Sequence, residues 1–316
     1  MRTARYALLL ALAVAALACE PAAATFPGRN GEIVLTSGTG SRYVNQHISL
    51  LRFATRFGLP LEAPVCAEFT ENHALDCQLV GRGAFTPDGA RIAVTVFEGA
   101  VTALWTLNPH GQRIGRVPLT TDYWDVRWAP DESAFLALRY LDPGAPLDPS
   151  HYGPAAVSVL NTDGSERSLL ASDVTGADWC ADGRVVVAQH GEIWVIDATR
   201  PGAVRRLTYK GGADPSCSPG NHQVAFTRRS AIWTIPTGGG RARRVTLGYA
   251  PVWSPDGKQI AYLRERRGRY DLETKLYRVG LRRLIVRRVS DDYLKSTDPY
   301  SDRWVQDPDW QPLPPG

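Results

Sequence analysis

The strongest constraint on this chain is a short unit that recurs along it. An aromatic residue precedes a Pro/Asp/Gly turn, and a β-rich run follows. The clearest copy is Trp253-Ser254-Pro255-Asp256-Gly257, continuing into Ile260-Ala261-Tyr262-Leu263. Variants begin at Phe85, Trp128, Trp179, Cys217 and Trp310, and with Trp253 in its place the successive starts are separated by 43, 51, 38, 36 and 57 residues. Those periods suit one small sheet per repeat with loops of variable length.

Each turn but the last runs into an apolar strand, at residues 91–96, 135–138, 185–187, 224–226 and 260–263. Small, branched and aromatic residues suit buried sheet faces. Third strands follow near residues 103–108, 156–160, 192–197, 231–236 and 275–279, then short fourth strands. The chain ends explain each other. Trp310-Gln311-Pro312 starts a repeat with no strand after it, and Asn30–Thr36 supplies a strand with no start. The spacing therefore predicts that residues 305–313 pair with residues 29–65. The expected fold is all-β, a six-bladed β-propeller closed by its N-terminal strands and its C-terminal strand. Ring closure protects sheet edges from unwanted pairing.

The repeated tryptophans fall into two registers, Trp128, Trp179, Trp253 and Trp310 beside the turns and Trp105, Trp194 and Trp233 on third strands. Packing between blades is their expected role. Trp124 and Trp304 lie outside both registers and are candidates for an exposed face. Irregular insertions are expected at 140–155, 264–274 and 291–304, where Tyr140, Tyr152, Tyr293 and Tyr300 could add aromatic contacts.

Residues 1–24 have the form of an export signal. Arg2 and Arg5 precede an Ala/Leu/Val run, with small residues before Cys19 and after Ala24. Residues 25–316 then form the mature propeller. Cleavage before Cys19 is the alternative; it would expose Cys19 for lipidation and anchor the domain to a membrane. Cleavage at Ala24 leaves Cys66, Cys77, Cys180 and Cys217, enough for two disulfides in an exported protein. Cys66 and Cys77 could close a small loop. Cys180 and Cys217 sit at near-corresponding points of successive repeats. Free buried cysteines are the other reading.

The formal charge is +4. The Arg-Arg pairs are dispersed through the repeats and matched by many acids, so they read as solvated strand faces. Without a recognition module they do not indicate specific nucleic-acid binding.

Trp253-Ser254-Pro255-Asp256-Gly257-Lys258-Gln259-Ile260-Ala261 resembles the WD40-like PD40 repeat of TolB-type propellers. Asp125–Trp128 and Asp307–Trp310 match its Asp-x-x-Trp element. Arg206-Leu207-Thr208 resembles its blade-ending strand. The resemblance covers about residues 26–316 and implies a secreted or periplasmic propeller. Three departures stand out. Cys217 replaces the aromatic, Gly220-Asn221 replaces Asp-Gly, and Asp131-Glu132 lacks the Gly, so those blades are expected to use different turns or contacts. The N-terminal α/β domain of TolB and the hydrolase domain of related peptidases have no counterpart here.

Chemistry leaves little trace in the sequence. The six histidines form no close metal-ligand cluster, although His190 and His222 could approach across neighbouring blades. No nucleophile-turn motif occurs, and Gly238-Gly239-Gly240 lacks the continuation of a phosphate loop. No cofactor motif appears. Asp125, Asp178, Asp214, Asp307 and Asp309 precede the repeated turns. The resemblance puts that register near the inner rim of the ring. There, carboxylates could bind a cation or a basic peptide, or fix the backbone. Asp88, Asp182 and Asp256 lie inside turns and suit local hydrogen bonding.

The expected function is a noncatalytic scaffold that binds an envelope or extracellular protein or peptide, with glycan as another ligand class. Asp125, Asp178, Asp214, Asp307, Trp124, Tyr293, Tyr300 and Trp304 are the binding candidates. The alternative is a carbohydrate-active lyase or hydrolase at the channel mouth, since paired carboxylates can cleave glycosides at suitable separations. A mainly structural surface protein is a third reading.

Overall fold

The computed structural model describes residues 26–39, 46–51, 61–63, 78–79, 83–98, 102–109, 111–141, 155–266, 269–276, 286–288 and 303–314. Regular structure among them is all strand. The N-terminal stretch 1–24, Cys66, Cys77, Tyr152, Tyr293 and Tyr300 lie outside the described residues.

The strands form antiparallel units that follow the repeats. The first unit holds Ala84–Phe85, Ile92–Phe97, Thr102–Leu107 and Arg113–Pro118. The second holds Tyr123–Trp128, Ala134–Tyr140, Ala155–Asn161 and the start of Glu166–Trp179. The third continues from residues 174–179 through Arg184–Gln189, Glu192–Asp197 and Arg200–Arg206. The fourth and fifth begin at Ala213–Cys217 and Tyr249–Trp253. In the last sheet Arg303–Leu313 pairs with Arg29–Thr39, followed by Gln46–Leu51 and Leu61–Ala63. First strands of successive units touch, and Arg303–Leu313 touches both Tyr249–Trp253 and Ala84–Phe85. The fold is all-β and propeller-like.

One register runs through the units. Phe85 faces Ile92, Trp128 faces Phe135, Trp179 faces Val185, Cys217 faces Val224 and Trp253 faces Ile260. Trp310 faces Ile33, so the N-terminal strand takes the second-strand place. Side chains alternate across these strands, and both faces are buried because units stack on either side. Trp128, Phe135 and Leu160 pack against Ala93 and Leu104 of the preceding unit. Trp179, Val185 and Val187 pack on Leu136, Leu138 and Val157. Trp253, Ile260 and Tyr262 pack on Ala225 and Ile232. Burying each large side chain contributes roughly 1.5–3 kcal/mol.

The turns repeat as closely as the strands. Asp88 and Asp256 each accept from the hydroxyl two residues earlier, at 2.6 Å, and from the N–H two residues later. Gly89, Gly183 and Gly257 have φ of 69°, 79° and 66°. Glu132 and Asn221 stand at the same place with φ of 57° and 55°. Their N–H groups donate to Ala129 and Ser218 carbonyls, matching Gly257 to Ser254. The expectation of different turns there is corrected. The turn's hydrogen bond holds a non-glycine residue in the left-handed region.

Two further expectations change. Residues 264–274 are no irregular insertion, because Gln259–Arg266 and Arg269–Leu276 pair throughout as a hairpin. The fourth strand of the second unit is not short. Glu166–Trp179 runs on into the third unit and joins two units in one sheet, with register breaks and Asp173 at φ 56°. Breaks of this kind bend a strand without ending it.

A disulfide joins Cys180 of the third unit to Cys217 of the fourth, with Cα atoms 5.3 Å apart. Cys217 takes the aromatic position, so a covalent link stands where other units use a ring.

Replacing Gly89 by Ala should destabilise far more than replacing Gly257. Both have positive φ, which costs an L-residue about 1–2 kcal/mol. A Cβ at Gly89 would also lie 1.9 Å from the Pro312 carbonyl oxygen, whereas at Gly257 nothing lies nearer than 3.8 Å. Urea denaturation of the two variants measures the difference. Replacing Cys180 and Cys217 together should lower stability by about 3–4 kcal/mol for a loop of separation 37, read in the same titration.

Candidate ligand-binding site at the channel

Successive first strands touch one another, and the alternation along them decides which side chains line the cavities between them. The residues just before the repeated aromatic are Ala84, Arg127, Asp178, Ser216, Val252 and Asp309. Two residues earlier stand Asp125, Gly176, Asp214, Ala250 and Asp307. These positions form two successive tiers.

The inner tier stitches units together. Phe85 N–H donates to Asp309 Oδ2 at 2.8 Å. Cys217 N–H donates to Asp178 Oδ2 at 3.0 Å, and Trp253 N–H to Ser216 Oγ at 3.4 Å. Each bond ties one unit's first strand to another's. Asp178 and Asp309 are 7% and 8% exposed, so charge-assisted bonds to N–H groups offset part of their desolvation.

Arg127 completes this tier. Its Nη1 lies 3.4 Å from Asp178 Oδ1 and 4.0 Å from Asp309 Oδ1. One guanidinium thus faces two buried carboxylates. Its Nε is buried and has no hydrogen-bond partner among the described residues. Sequence reasoning passed over Arg127. The signal was available, because Asp-Val-Arg-Trp carries Arg where Asp-Pro-Asp-Trp carries the second Asp.

The outer tier forms the mouth. A cavity of about 50 Å³ is lined by Trp124, Asp125, Arg127, Asp214 and the prolines 215, 251 and 308, among others. Trp124 is half-buried and also packs on the second unit's core. Asp125 is buried, while Asp214 is partly exposed. Asp214 and Ala250 occupy equivalent positions, each before a proline, with φ of 46°. Strained backbone clustered at a cavity is a feature of binding sites.

Phe26 lies on the far side of the inner tier. A cavity of about 20 Å³ there is bounded by Phe26, Phe85, Trp128, Trp179 and Trp310, with Arg127 above. The segment carrying Phe26 is held by Gly28 N–H donating to the Pro255 carbonyl and by Asp256 N–H donating to Asn30 Oδ1.

The structure thus brings Trp124, Asp125 and Asp214 together and places Asp178 one tier deeper, in a stitching bond. Asp307 and Trp304 lie on Arg303–Leu313, with Trp304 opposite Gly38; their side chains are outside the described residues. Tyr293 and Tyr300 are outside them altogether. His190 and His222 occupy turns at opposite ends of their strands, which corrects the expectation of an approach. Among the described residues no group of three or more His, Cys, Asp and Glu side chains is placed to hold a metal ion.

No family model and no curated protein matches the chain. Among solved structures it is similar to TolB from Acinetobacter baumannii, with TM-score 0.60 and 16% identity over 92% of this chain and 69% of that one. The chain has a TolB-like β-propeller fold. The TolB-like fold is also similar to a chain of a nidogen/laminin complex, with TM-score 0.53 and 12% identity over 90% of this chain and 100% of that one. Tricorn protease gives TM-score 0.50 and 15% identity over 85% of this chain and 27% of that one. Identities this low speak to fold alone.

Replacing Arg127 by Met would leave the carboxylates of Asp178 and Asp309 buried without their cation. Stability should fall by about 3–5 kcal/mol, measured by urea unfolding. A loss below 1 kcal/mol would show that water or rearrangement replaces the guanidinium.

Proposed function

We propose that this chain is a noncatalytic scaffold that receives a peptide or protein segment at the channel mouth. In this reading it is a six-bladed propeller of the PD40 type, closed by the sheet that joins its two ends. It works outside the cytoplasm, in the periplasm or beyond, after removal of residues 1–24. The Cys180–Cys217 disulfide supports an oxidising compartment.

The observation that carries the proposal is the chemistry of the mouth. Trp124 offers an apolar face, Asp125 and Asp214 offer acceptors, and Arg127 Nε offers a buried donor. A peptide presents complementary N–H and carbonyl groups, and a basic side chain on it complements the two aspartates. Rigid strands hold these groups, which lowers the ordering cost of binding. No specific observation favours glycoside chemistry. Asp178 and Asp309, the deeper carboxylates, are engaged by backbone N–H groups and by Arg127.

The test is selection of displayed peptides against residues 25–316, followed by fluorescence anisotropy on the peptides obtained. Basic peptides with saturable micromolar affinity are expected. Asp214→Asn, at a partly exposed position, should weaken them about tenfold or more at unchanged melting temperature. Peptides that bind the variant equally well would move the site off the mouth. Failure to select any saturable peptide would remove the peptide-binding reading.

A further inference from the structure

A cavity of about 310 Å³ lies between the second and third units at the turn face, away from the channel mouth. Its lining includes Ala134, Trp179, Ala181 and Gly183, with Asp131 and Arg167 as its charged groups. Comparison with the neighbouring interface explains why it is there.

The residue just before each second-strand partner of the aromatic is long and polar in the other units. It is Arg91, Arg184, Gln223, Gln259 or Glu32. In the second unit it is Ala134. Between the first and second units, Arg91 fills the wedge. Its guanidinium lies 5.2 Å from the centroid of Trp128 and forms an ion pair with Glu132. Between the second and third units, every counterpart but the ring is cut away. Ala134 stands for Arg91, Gly183 stands for Glu132, and Trp179 stands for Trp128. Ala181 also replaces the proline found at 87, 130, 219 and 255. A Cβ built on Gly183 would meet nothing within 4 Å. Compared with the interface before it, the cavity lacks both members of the Arg91–Glu132 ion pair.

The charges for such a pair remain around it. Asp131 Oδ1 accepts from the Ser133 N–H and hydroxyl at 3.0 and 2.7 Å, and Oδ2 has no hydrogen-bond partner among the described residues. Those bonds from Ser133 hold the Asp131 carboxyl below its ordinary range. Arg167 is steadied by Nε donating to Asn161 Oδ1 at 2.8 Å and Nη2 to the Ser133 carbonyl at 3.3 Å. Ala129, Ala134, Val159 and Ala198 give the interior an apolar wall.

We infer that this cavity binds a small zwitterion of the ω-guanidino or ω-amino carboxylic acid class. Its cation lies over Trp179 and is paired by Asp131, and its carboxylate is paired by Arg167. Cation–π and charge-assisted contacts are worth more in a partly desolvated wedge than on open surface. The same chemistry occurs in a free basic amino acid and in the C-terminal residue of a chain ending in Arg or Lys.

The test uses saturation-transfer NMR titrations of the protein with 4-guanidinobutyrate, a zwitterion that resembles the missing pair. A dissociation constant on the order of 1 mM is expected for so few atoms. Butylguanidinium and butyrate, each lacking one charge, should bind about tenfold more weakly or worse. Ala134→Arg restores the internal cation and should abolish binding. Asp131→Asn and Arg167→Gln, both at exposed positions, should each weaken it about tenfold and keep the test decisive if Ala134→Arg does not fold. Free arginine, a peptide ending in Arg and its C-terminal amide separate the two sources. Only the amide should fail, and binding by either of the others supports the site. Absence of saturation, equal binding of the singly charged compounds, or retained binding in folded Ala134→Arg would overturn the inference.

Discussion

Each unit of this molecule is a small twisted sheet with two apolar faces, and neither face can be buried within the unit. Stacking is therefore obligatory, and the contact between one first strand and the next sets the geometry of everything else. Two devices act together at that contact. A large ring beside the turn fills the wedge where twisted sheets diverge. A polar side chain just before the ring, or before Cys217 in its place, accepts an N–H from another first strand, as Asp178, Ser216 and Asp309 do. The ring supplies area and the acceptor supplies register.

The channel follows from the same arrangement. Side chains that alternate away from the core on a first strand must point along the axis. That geometry gathers carboxylates which the sequence scatters over nearly two hundred residues, and it obliges the chain to neutralise them. Arg127 does so by standing in the tier where Asp178 and Asp309 converge. The tier above, with Asp125 and Asp214, borders the cavity. Departures from the repeat are where particular properties enter. Cys217 exchanges a ring for a covalent link, and Ala134 exchanges a long polar side chain for a cavity.

Much of this was legible one dimension at a time. The period of the turn motif and the apolar runs after it were enough to expect all-β units and their register. The orphaned Trp310 start and the surplus Asn30–Thr36 strand pointed to the pairing now seen between Arg29–Thr39 and Arg303–Leu313. Local polarity misled at Glu132 and Asn221. Propensity argues against a left-handed residue at Glu132, but the turn's hydrogen bond and the flanking strands impose one, while Asn tolerates that conformation at 221. Residues 264–274 of the hairpin were read as an insertion because their charged residues hide the strand alternation.

The candidate site was only half visible. Asp125, Asp178 and Asp214 share a sequence context, so all three were read as one class. Their separation into a stitching residue and mouth residues depends on a two-residue offset, which decides the tier each carboxylate occupies. The sequence by itself determined the repeating unit, its strands and turns, and the residue types that would meet at the axis. Those properties are local, set by alternation and turn chemistry within a few residues. Tertiary structure alone decided that Arg127 faces Asp178 and Asp309, that Phe26 meets Phe85, Trp128 and Trp310 around one cavity, and that a wedge stands empty beside Trp179. Each of these joins residues of different units, and such distances exist only once the sheets have packed against one another.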